Sequence, residues 1–455
     1  MTDATDTSTA APAPRISVVG TGYLGATHAA AMAELGFEVV GVDVDPAKVE
    51  ALSAGKVPFY EPGLPELLVR GVESGRLRFT TDLAEAAAFA DVHFVCVGTP
   101  QQPGSNGADL RYVEAAFEGL AQHLTKDALL VGKSTVPVGT AALMAERVRS
   151  IVPADGPRVE LAWNPEFLRE GKAVQDTLAP DRVVVGGASP WGEELLRRVY
   201  AKPLATGTPF IATDLPTAEL VKVSANAFLA TKISFINAIS QVCDKAGADV
   251  TVLADALGHD VRIGRQFLNA GLGFGGGCLP KDIRALMHRA GELDANWLVS
   301  LMQDVDEINM WQRQRVVDMA VEACGGSVLN RRVGVLGAAF KPDTDDVRDS
   351  PALNVAAALH LRGAQVVVFD PEAGETGKRS FPALGFGTST EEAVQGADVV
   401  LVLTEWPEFR TADPVALRAL TTGATVIDAR NCLPAQAWRD AGWTYRGLGV
   451  APVQG

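Results

Sequence analysis

Short apolar runs alternate with longer amphipathic stretches along most of this chain. Residues 15–20 carry Ile16-Ser17-Val18-Val19 and then turn at Gly20-Thr21-Gly22-Tyr23-Leu24-Gly25. The Ala-rich stretch 26–35 predicts a helix, and Glu38-Val39-Val40-Gly41-Val42-Asp43 predicts a strand with an acid at its end. Apolar runs at 92–97 and 128–132 add strands. The first leads into Gly98-Thr99-Pro100, the second into Lys133-Ser134-Thr135-Val136-Pro137-Val138-Gly139-Thr140. Uniformly apolar runs of this length suit strands buried on both faces, as in a parallel sheet covered by helices. The predicted class is α/β, and ligands of such sheets gather beyond the carboxyl ends of the strands.

Further along, the period changes. After Pro216 the chain keeps helical periodicity to about residue 246 with no Pro or Gly, so one long helix is expected, able to link domains or pair two subunits. Residues 249–256 and 296–324 predict further helices. Beyond Gly325-Gly326, strands are predicted at 332–337, 365–370, 397–403 and 425–428, with a helix at 351–360. This second unit reads as a weakened copy of the first, in which Gly337 alone keeps the phosphate-binding role. A ligand other than a second dinucleotide is expected there. The expected division is a disordered tail at 1–14, an N-terminal Rossmann domain at 15–212, a central helical region at 213–325 and a C-terminal Rossmann-like domain at 326–455.

A chain of 455 residues has room for these units. The formal net charge of -15 offers no basic footprint, so neither nucleic acid nor an anionic membrane surface is an expected partner. No apolar run reaches the ~18 residues of a membrane span. Residues 1–14 lack the basic and apolar regions of a signal peptide, and a cytoplasmic protein is expected. Cys96, Cys243, Cys278, Cys324 and Cys432 show neither metal-ligand spacing nor a disulfide framework, so no metal is expected.

Candidate chemistry falls in a few places. Gly20, Gly22 and Gly25 sit between a strand and a helix, with Asp43 at the next strand end. That is the arrangement of a dinucleotide turn, in which Asp43 accepts from ribose hydroxyls and repels a ribose phosphate, favouring NAD over NADP. The second place is Gly273-Phe274-Gly275-Gly276-Gly277-Cys278-Leu279-Pro280-Lys281-Asp282. Glycines there permit close ligand approach, and a cysteine beside Lys281 and Asp282 suits a nucleophile. A buried, inert cysteine in a tight turn would read the same in isolation. Glu166 and Glu170 are four apart; if Pro165 opens a helical turn they share a face, as they would at a solvated helix start. Lys222 and Asn226 are also four apart, and asparagine is ill suited to a helix interior. Arg262 and Arg265 fit a phosphate contact or plain surface charge. The loop 58–63, rich in Pro, Gly and aromatics, is either specifically shaped or a connector.

Taken in order, these segments carry a resemblance. The motifs are Gly20 to Gly25, Tyr60-Glu61-Pro62-Gly63-Leu64, Lys133 to Thr140, Asn164-Pro165-Glu166-Phe167-Leu168-Arg169-Glu170, Glu219 to Asn226, Gly275 to Asp282, and Ala339-Phe340-Lys341-Pro342-Asp343. Together they resemble the UDP-glucose 6-dehydrogenases, within the wider family of NAD-dependent nucleotide-sugar dehydrogenases, from Arg15 to about Arg446. The resemblance implies an NAD-binding Rossmann domain, a central helix that forms a homodimer, and a Rossmann-like domain for the UDP part. It implies oxidation of the sugar C6 alcohol to a carboxylate in two NAD-dependent steps without release of the aldehyde. Cys278 is then the nucleophile that forms the thiohemiacetal and thioester. Lys222 stabilises the oxyanion, helped by Asn226. Asp282 and Thr135 handle protons through a water, and Glu166 is a base in thioester hydrolysis.

The same resemblance places NAD on Gly20, Gly22, Tyr23, Leu24, Gly25 and Asp43, with Lys48, Thr99, Pro100, Thr135, Glu170 and Lys281. It gives the sugar nucleotide Glu166, Phe167, Leu168, Glu170, Lys222 and Asn226, then Arg262, Phe267, Asn269, Gly275, Phe340, Lys341 and Arg430. One departure is Asp428-Ala429-Arg430, where the family motif is Asp-Gly-Arg; the arginine is kept. Relatives act on GDP-mannose or UDP-N-acetylmannosamine, and the wording from Cys278 to Asp282 also occurs in GDP-mannose dehydrogenases. Tyr60 and Pro180-Asp181-Arg182 look like the UDP-glucose branch. A nucleotide-sugar-binding protein without catalysis would lack the cysteine, lysine or acid, and all are present. A 3-hydroxyacid dehydrogenase oxidises in one step and does not need the glycine-cysteine loop.

Overall fold

The computed structural model describes residues 12–450; the expected tail lies outside them except for 12–14. Two compact units make up the described chain. The first holds the chain up to Pro100 together with Ala108–Lys222; the second holds Gln101–Gly107 and the chain from Val223 onward.

In the first unit eight strands form one sheet. They are β1 (Ile16–Val19), β2 (Val39–Val42), β3 (Leu77–Thr80), β4 (Val92–Val95), β5 (Ala128–Gly132), β6 (Val159–Trp163), β7 (Val183–Gly186) and β8 (Phe210–Thr213). Their order is β3-β2-β1-β4-β5-β6-β7-β8. The first six are parallel. β7 meets β6 antiparallel, pairing Trp163 with Gly186, and β8 runs parallel to β7. Strand residues feed two cores: Ile16 and Val18 pack with Ala29, Ala30, Met32 and Phe94, whereas Val19 packs with Val95, Val113 and Phe117 on the other face. The Tyr23–Glu34 helix lies against the sheet through Ala29, Ala30 and Ala31, which have no exposed surface. Side chains this small let helix and sheet approach closely. The strand order reverses between β1 and β4, which opens a crevice at their carboxyl ends.

The second unit repeats this plan. Its strands are β9 (Arg332–Leu336), β10 (Gln365–Phe369), β11 (Gly385–Phe386), β12 (Val399–Val402), β13 (Thr425–Asp428) and β14 (Thr444–Gly447), ordered β11-β10-β9-β12-β13-β14. All pairs are parallel. Counted from its own first strand, the order matches the first six strands of the other sheet. The turn after β9 differs. In the first unit a helix begins at Tyr23, directly behind the glycine turn; here the next helix begins only at Pro351. A helix N-terminus directly behind the glycine turn, the arrangement that receives a pyrophosphate in the first unit, is thus not repeated here. The acid at the end of β10, Asp370, accepts from the backbone N–H groups of Ala338 (2.7 Å), Ala339 (2.9 Å), Glu372 (3.0 Å) and Ala373 (2.8 Å), and from Trp406 Nε1 (3.1 Å). Both its oxygens are occupied by the protein itself.

Helices fill the rest of the second unit. The long helix spans Leu215–Ala246, and its part from Val223 belongs here. Val250–Gly258 follows, capped by Asp249, whose carboxylate accepts from Thr251 N–H (2.7 Å). Leu279–Glu292 and Asn296–Ala323 complete the set. Along the long helix Phe228, Phe235 and Val242 are exposed by 50% or more, at a spacing of seven residues that keeps them on one stripe. No helix among the described residues is long and apolar enough to cross a membrane.

Candidate active site

The dinucleotide end of the first unit is built by three glycines with different jobs. Gly20 has a left-handed φ of +89°, and a Cβ there would sit 2.9 Å from the Val97 side chain. A Cβ on Gly25 would lie 1.8 Å from the Gly20 carbonyl oxygen, so any side chain would push helix and turn apart. At Gly22 nothing lies within 4 Å of the Cβ position, and this residue caps the Tyr23–Glu34 helix without a side-chain hydrogen bond. The first N–H groups of that helix are thus left for an anion. Leu24 packs partly into the core.

Asp43 is buried at the end of β2. Its Oδ2 accepts from Thr21 N–H (2.9 Å), Thr21 Oγ1 (3.1 Å) and Lys48 Nζ (2.9 Å), while Oδ1 accepts only a longer bond from Asp45 N–H (3.2 Å). Burial alone would raise this carboxyl, but the bonds from Lys48, Thr21 and Asp45 outweigh it and hold it below the usual carboxylate range. Asp43 is therefore ionised at neutral pH, with Oδ1 available to hydroxyl donors. The residues present fit NAD. An Asp43→Asn variant should raise the use of NADP relative to NAD by roughly tenfold or more, because like-charge juxtaposition costs several kcal/mol. The ratio of kcat/KM for the two cofactors reads this directly.

The loop 58–63 is specifically shaped. Glu61 is buried and accepts from the Tyr23 hydroxyl, from Gly171 N–H (2.7 Å) and from Ala173 N–H (2.7 Å). Burial and the Glu61 carboxylate raise the Tyr23 phenol. Thr99 Oγ1 donates to the Thr135 carbonyl (2.8 Å), which ties together the turns after β4 and β5; Pro100 beside it is exposed. Glu219 accepts from Gly139 N–H (2.8 Å) and Ala141 N–H (2.7 Å), fixing the far end of the second turn.

The segment after Asn164 corrects the helical reading of Pro165. Residues 164–169 form no helix, and Glu166 and Glu170 do not share a helical face. The Glu166 side chain explains this: its Oε2 accepts from Leu168 N–H (2.5 Å), a local bond that competes with helix formation. Glu166 Oε1 lies 3.0 Å from Lys222 Nζ, with side-chain exposures of 13% and 6%. Phe167 lies under the Arg182 guanidinium, 3.8 Å from ring centroid to Cζ, and 5.7 Å from Lys222 Nζ. Glu170 is partly buried in the same unit.

The second unit carries the thiol. Cys278 is exposed and is the N-cap of the Leu279–Glu292 helix. Asp282, in the first turn of that helix, is almost fully buried; it accepts from Asn226 Nδ2 (2.6 Å) and from Lys281 Nζ (2.6 Å). Asn226 thus occupies a helix interior because it binds a buried carboxylate. The glycines of the loop are closely packed, Gly275 against backbone that cannot give way and Gly277 against the end of a flexible side chain. A Cβ on Gly275 would lie 2.4 Å from the Asp349 carbonyl, on Gly276 2.8 Å from the Phe340 ring, and on Gly277 2.3 Å from the Arg348 guanidinium. Arg430 donates to the carbonyls of Gly273 (3.0 Å), Phe340 (3.2 Å) and Leu403 (2.8 Å), bracing the loop against the sheet. Lys341 lies 5.6 Å from the Phe340 ring centroid. Arg262 is paired with Asp260 (2.6 Å) and otherwise exposed, and Asn269 accepts from Arg265 (2.8 Å). Phe267 takes a left-handed φ of 63°. Among the described residues no cluster of His, Cys, Asp and Glu could hold a metal ion.

Several of these supports carry no expectation from sequence. Glu61 and Glu219 lie inside the quoted motifs, but their partners are over seventy residues away, at separations of 110 and 80. Asn309 and Arg313, described below, are polar residues four apart on a mainly apolar helix face. That spacing was the available signal.

An open strand order, a glycine turn on a helix N-terminus and an ionised acid at the second strand end define an NAD-binding protein of the Rossmann class. Comparison with known proteins takes this further. Family models of the UDP-glucose/GDP-mannose dehydrogenase family match the NAD binding domain at residues 14–204, the central domain at 216–311 and the UDP binding domain at 334–435. The UDP-glucose 6-dehydrogenase of Rhizobium meliloti is 40% identical over 96% of this chain and 99% of its own. UDP-glucose 6-dehydrogenase TuaD of Bacillus subtilis is 40% identical over 97% and 94%. A UDP-glucose dehydrogenase from Pyrobaculum islandicum superposes with a TM-score of 0.88 at 39% identity, covering 96% of this chain and 98% of that one. The chain belongs to the UDP-glucose/GDP-mannose dehydrogenase family.

Proposed function

We propose that this chain oxidises UDP-glucose to UDP-glucuronate, consuming two NAD and one water and yielding two NADH. The observation that carries the chemistry is the exposed Cys278 at a helix N-cap, behind closely packed glycines, beside the Asn226–Asp282 pair. The relatives at about 40% identity over nearly the whole chain carry the substrate. NAD, when bound, takes the hydride released from C6 in each step.

Each role follows from a chemical need. Loss of hydride from the C6 alcohol requires a base for its proton, and Asp282 with Thr135 supplies that through a water. The aldehyde cannot release its C6 hydride until a nucleophile adds and makes a tetrahedral adduct. The Cys278 sulfur bonds to C6, the carbonyl oxygen becomes an oxyanion, and protonation gives a thiohemiacetal. Lys222 and Asn226 stabilise the oxyanion. Loss of the second hydride, with the hydroxyl proton passing to the same base and water, leaves a thioester. Water, activated by Glu166, adds to it, and the C–S bond breaks to give the carboxylate and return the thiol. Phe167, Leu168 and Glu170 line the sugar pocket in this reading, and Arg262, Phe267, Asn269, Gly275, Phe340, Lys341 and Arg430 serve the nucleotide-sugar. Tyr23, Leu24, Lys48, Thr99, Pro100 and Lys281 complete the cofactor contacts.

The deciding measurement is NADH formed per sugar consumed, with UDP-glucose, GDP-mannose and UDP-N-acetylmannosamine in parallel. Two NADH per UDP-glucose, with the other sugars slow, is the expected result. One NADH per sugar would sink the thioester route, and two with another sugar only would move the substrate.

We also infer a homodimer through the stripe of Phe228, Phe235 and Val242. A Phe235→Asp variant should shift the protein from dimer to monomer in light scattering. Burial of a phenylalanine is worth about 1.5–3 kcal/mol and occurs twice per symmetric interface, so the dissociation constant should weaken by on the order of 100-fold or more.

A further inference from the structure

The glycine loop is held from behind by side chains to which the chemistry above gives no role. Asn309, fully buried on the Asn296–Ala323 helix, engages both polar atoms of Phe274. Phe274 N–H donates to Asn309 Oδ1 (2.8 Å), and Asn309 Nδ2 donates to the Phe274 carbonyl (3.1 Å). One helical turn on, the buried Arg313 donates from Nη2 to that same carbonyl (3.1 Å). Its Nη1 donates to Asp349 Oδ1 (2.7 Å) and to Asn354. Arg284, on the helix that Cys278 caps, donates to Asp306 (3.1 Å) and to Asp349 Oδ2 (3.3 Å).

Asp349 has a left-handed φ of 44° and follows Arg348, whose carbonyl accepts from Gly276 N–H (2.9 Å). The backbone leading to Cys278 is thus pinned at Phe274 and at Gly276. Gly273 completes the fit, since a Cβ there would lie 2.3 Å from Asn309 Oδ1. Arg313 Nε is buried with no hydrogen-bond partner among the described residues. An open buried donor costs roughly 1–3 kcal/mol, so stability alone does not explain this arginine.

We propose that Asn309 and Arg313 are positioning residues for the Cys278 thiol. They fix the Phe274 peptide and, through Asp349, tie the thiol loop to the segment that carries Phe340 and Lys341. The proposal rests on Cys278 being the nucleophile. Its consequence concerns capture of the aldehyde: a displaced thiol leaves the first oxidation intact and lets the half-oxidised sugar escape before the second.

Two variants test it. Asn309→Asp is isosteric, keeps an acceptor for Phe274 N–H and turns an oxygen toward the Phe274 carbonyl. Arg313→Lys keeps the charge and loses the fork that joins Phe274 to Asp349. Misplacement of a reacting group by about 1 Å can cost on the order of 100-fold, so kcat for formation of the acid should fall at least roughly tenfold with KM for the sugar nucleotide within about twofold. NADH per sugar consumed should drop below two, and semicarbazide should trap an aldehyde nucleotide sugar. A smaller folded fraction cannot alter that ratio, so loss of soluble protein does not mimic the effect. A ratio of two in both variants, with or without a lower kcat, overturns the proposal. Failure of the nucleophile reading looks different: the unaltered enzyme would yield one NADH per sugar, or a Cys278→Ser enzyme would keep the ratio of two.

Discussion

A Cys278→Ser enzyme should lose steady-state formation of the acid by about 1000-fold or more while still performing the first hydride transfer. Serine fits the same exposed N-cap position, so binding and the first oxidation are undisturbed. Its hydroxyl is a far weaker nucleophile than a thiolate, and an ester is a poorer acyl donor to water than a thioester. Addition to the aldehyde and release of the acyl group should both suffer. Rapid mixing with enzyme in excess separates the steps: at most one NADH per sugar should appear quickly, followed by a slow phase or none. Two rapid NADH per sugar, or acyl release at an unchanged rate, would exclude Cys278 as the nucleophile.

Replacing Lys222 with methionine should lower kcat by roughly 100- to 1000-fold, the usual cost of removing one oxyanion-stabilising group. A second effect comes with it. Lys222 and Glu166 form a pair 3.0 Å apart that is largely out of water. Removing one partner of such a pair costs about 3–5 kcal/mol, because the other charge is left uncompensated. The melting temperature should therefore fall together with activity. The double variant Lys222→Met/Glu166→Gln distinguishes the two losses. It should recover much of the stability and none of the turnover. Recovery of turnover in the double variant would show that Lys222 serves only to neutralise Glu166.

The sheet, the glycine turn and the long helix were legible because local pattern decides them. β1, β4 and β5 are buried along their whole length, so their runs are mainly apolar, and the two polar residues, Ser17 and His93, hydrogen-bond each other (2.7 Å). β3 and β8 were not visible: Leu77-Arg78-Phe79-Thr80 and Phe210-Ile211-Ala212-Thr213 sit half exposed and lack that continuous burial. Pro165 misled for a physical reason. Proline favours a first helical turn, but the Glu166 carboxylate captures a backbone N–H and the chain continues without regular secondary structure. The candidate catalytic residues were legible through motifs. Their braces were not, because Glu61, Glu219 and Asn309 act on backbone far away in sequence, at separations of 110, 80 and 35.

Asp370 has folded its unit's acid onto its own turn, where the equivalent Asp43 keeps one oxygen open. Among the described residues the glycine turn leading straight into a helix stands in the first unit alone, whereas the reaction proposed consumes two dinucleotides. In that reaction, spent cofactor at a single turn is exchanged for fresh midway, while the sugar is half oxidised and reactive. A covalent tether to sulfur gives the intermediate a reason to wait through that exchange, so the silenced second turn and the thiol loop answer the same problem of timing.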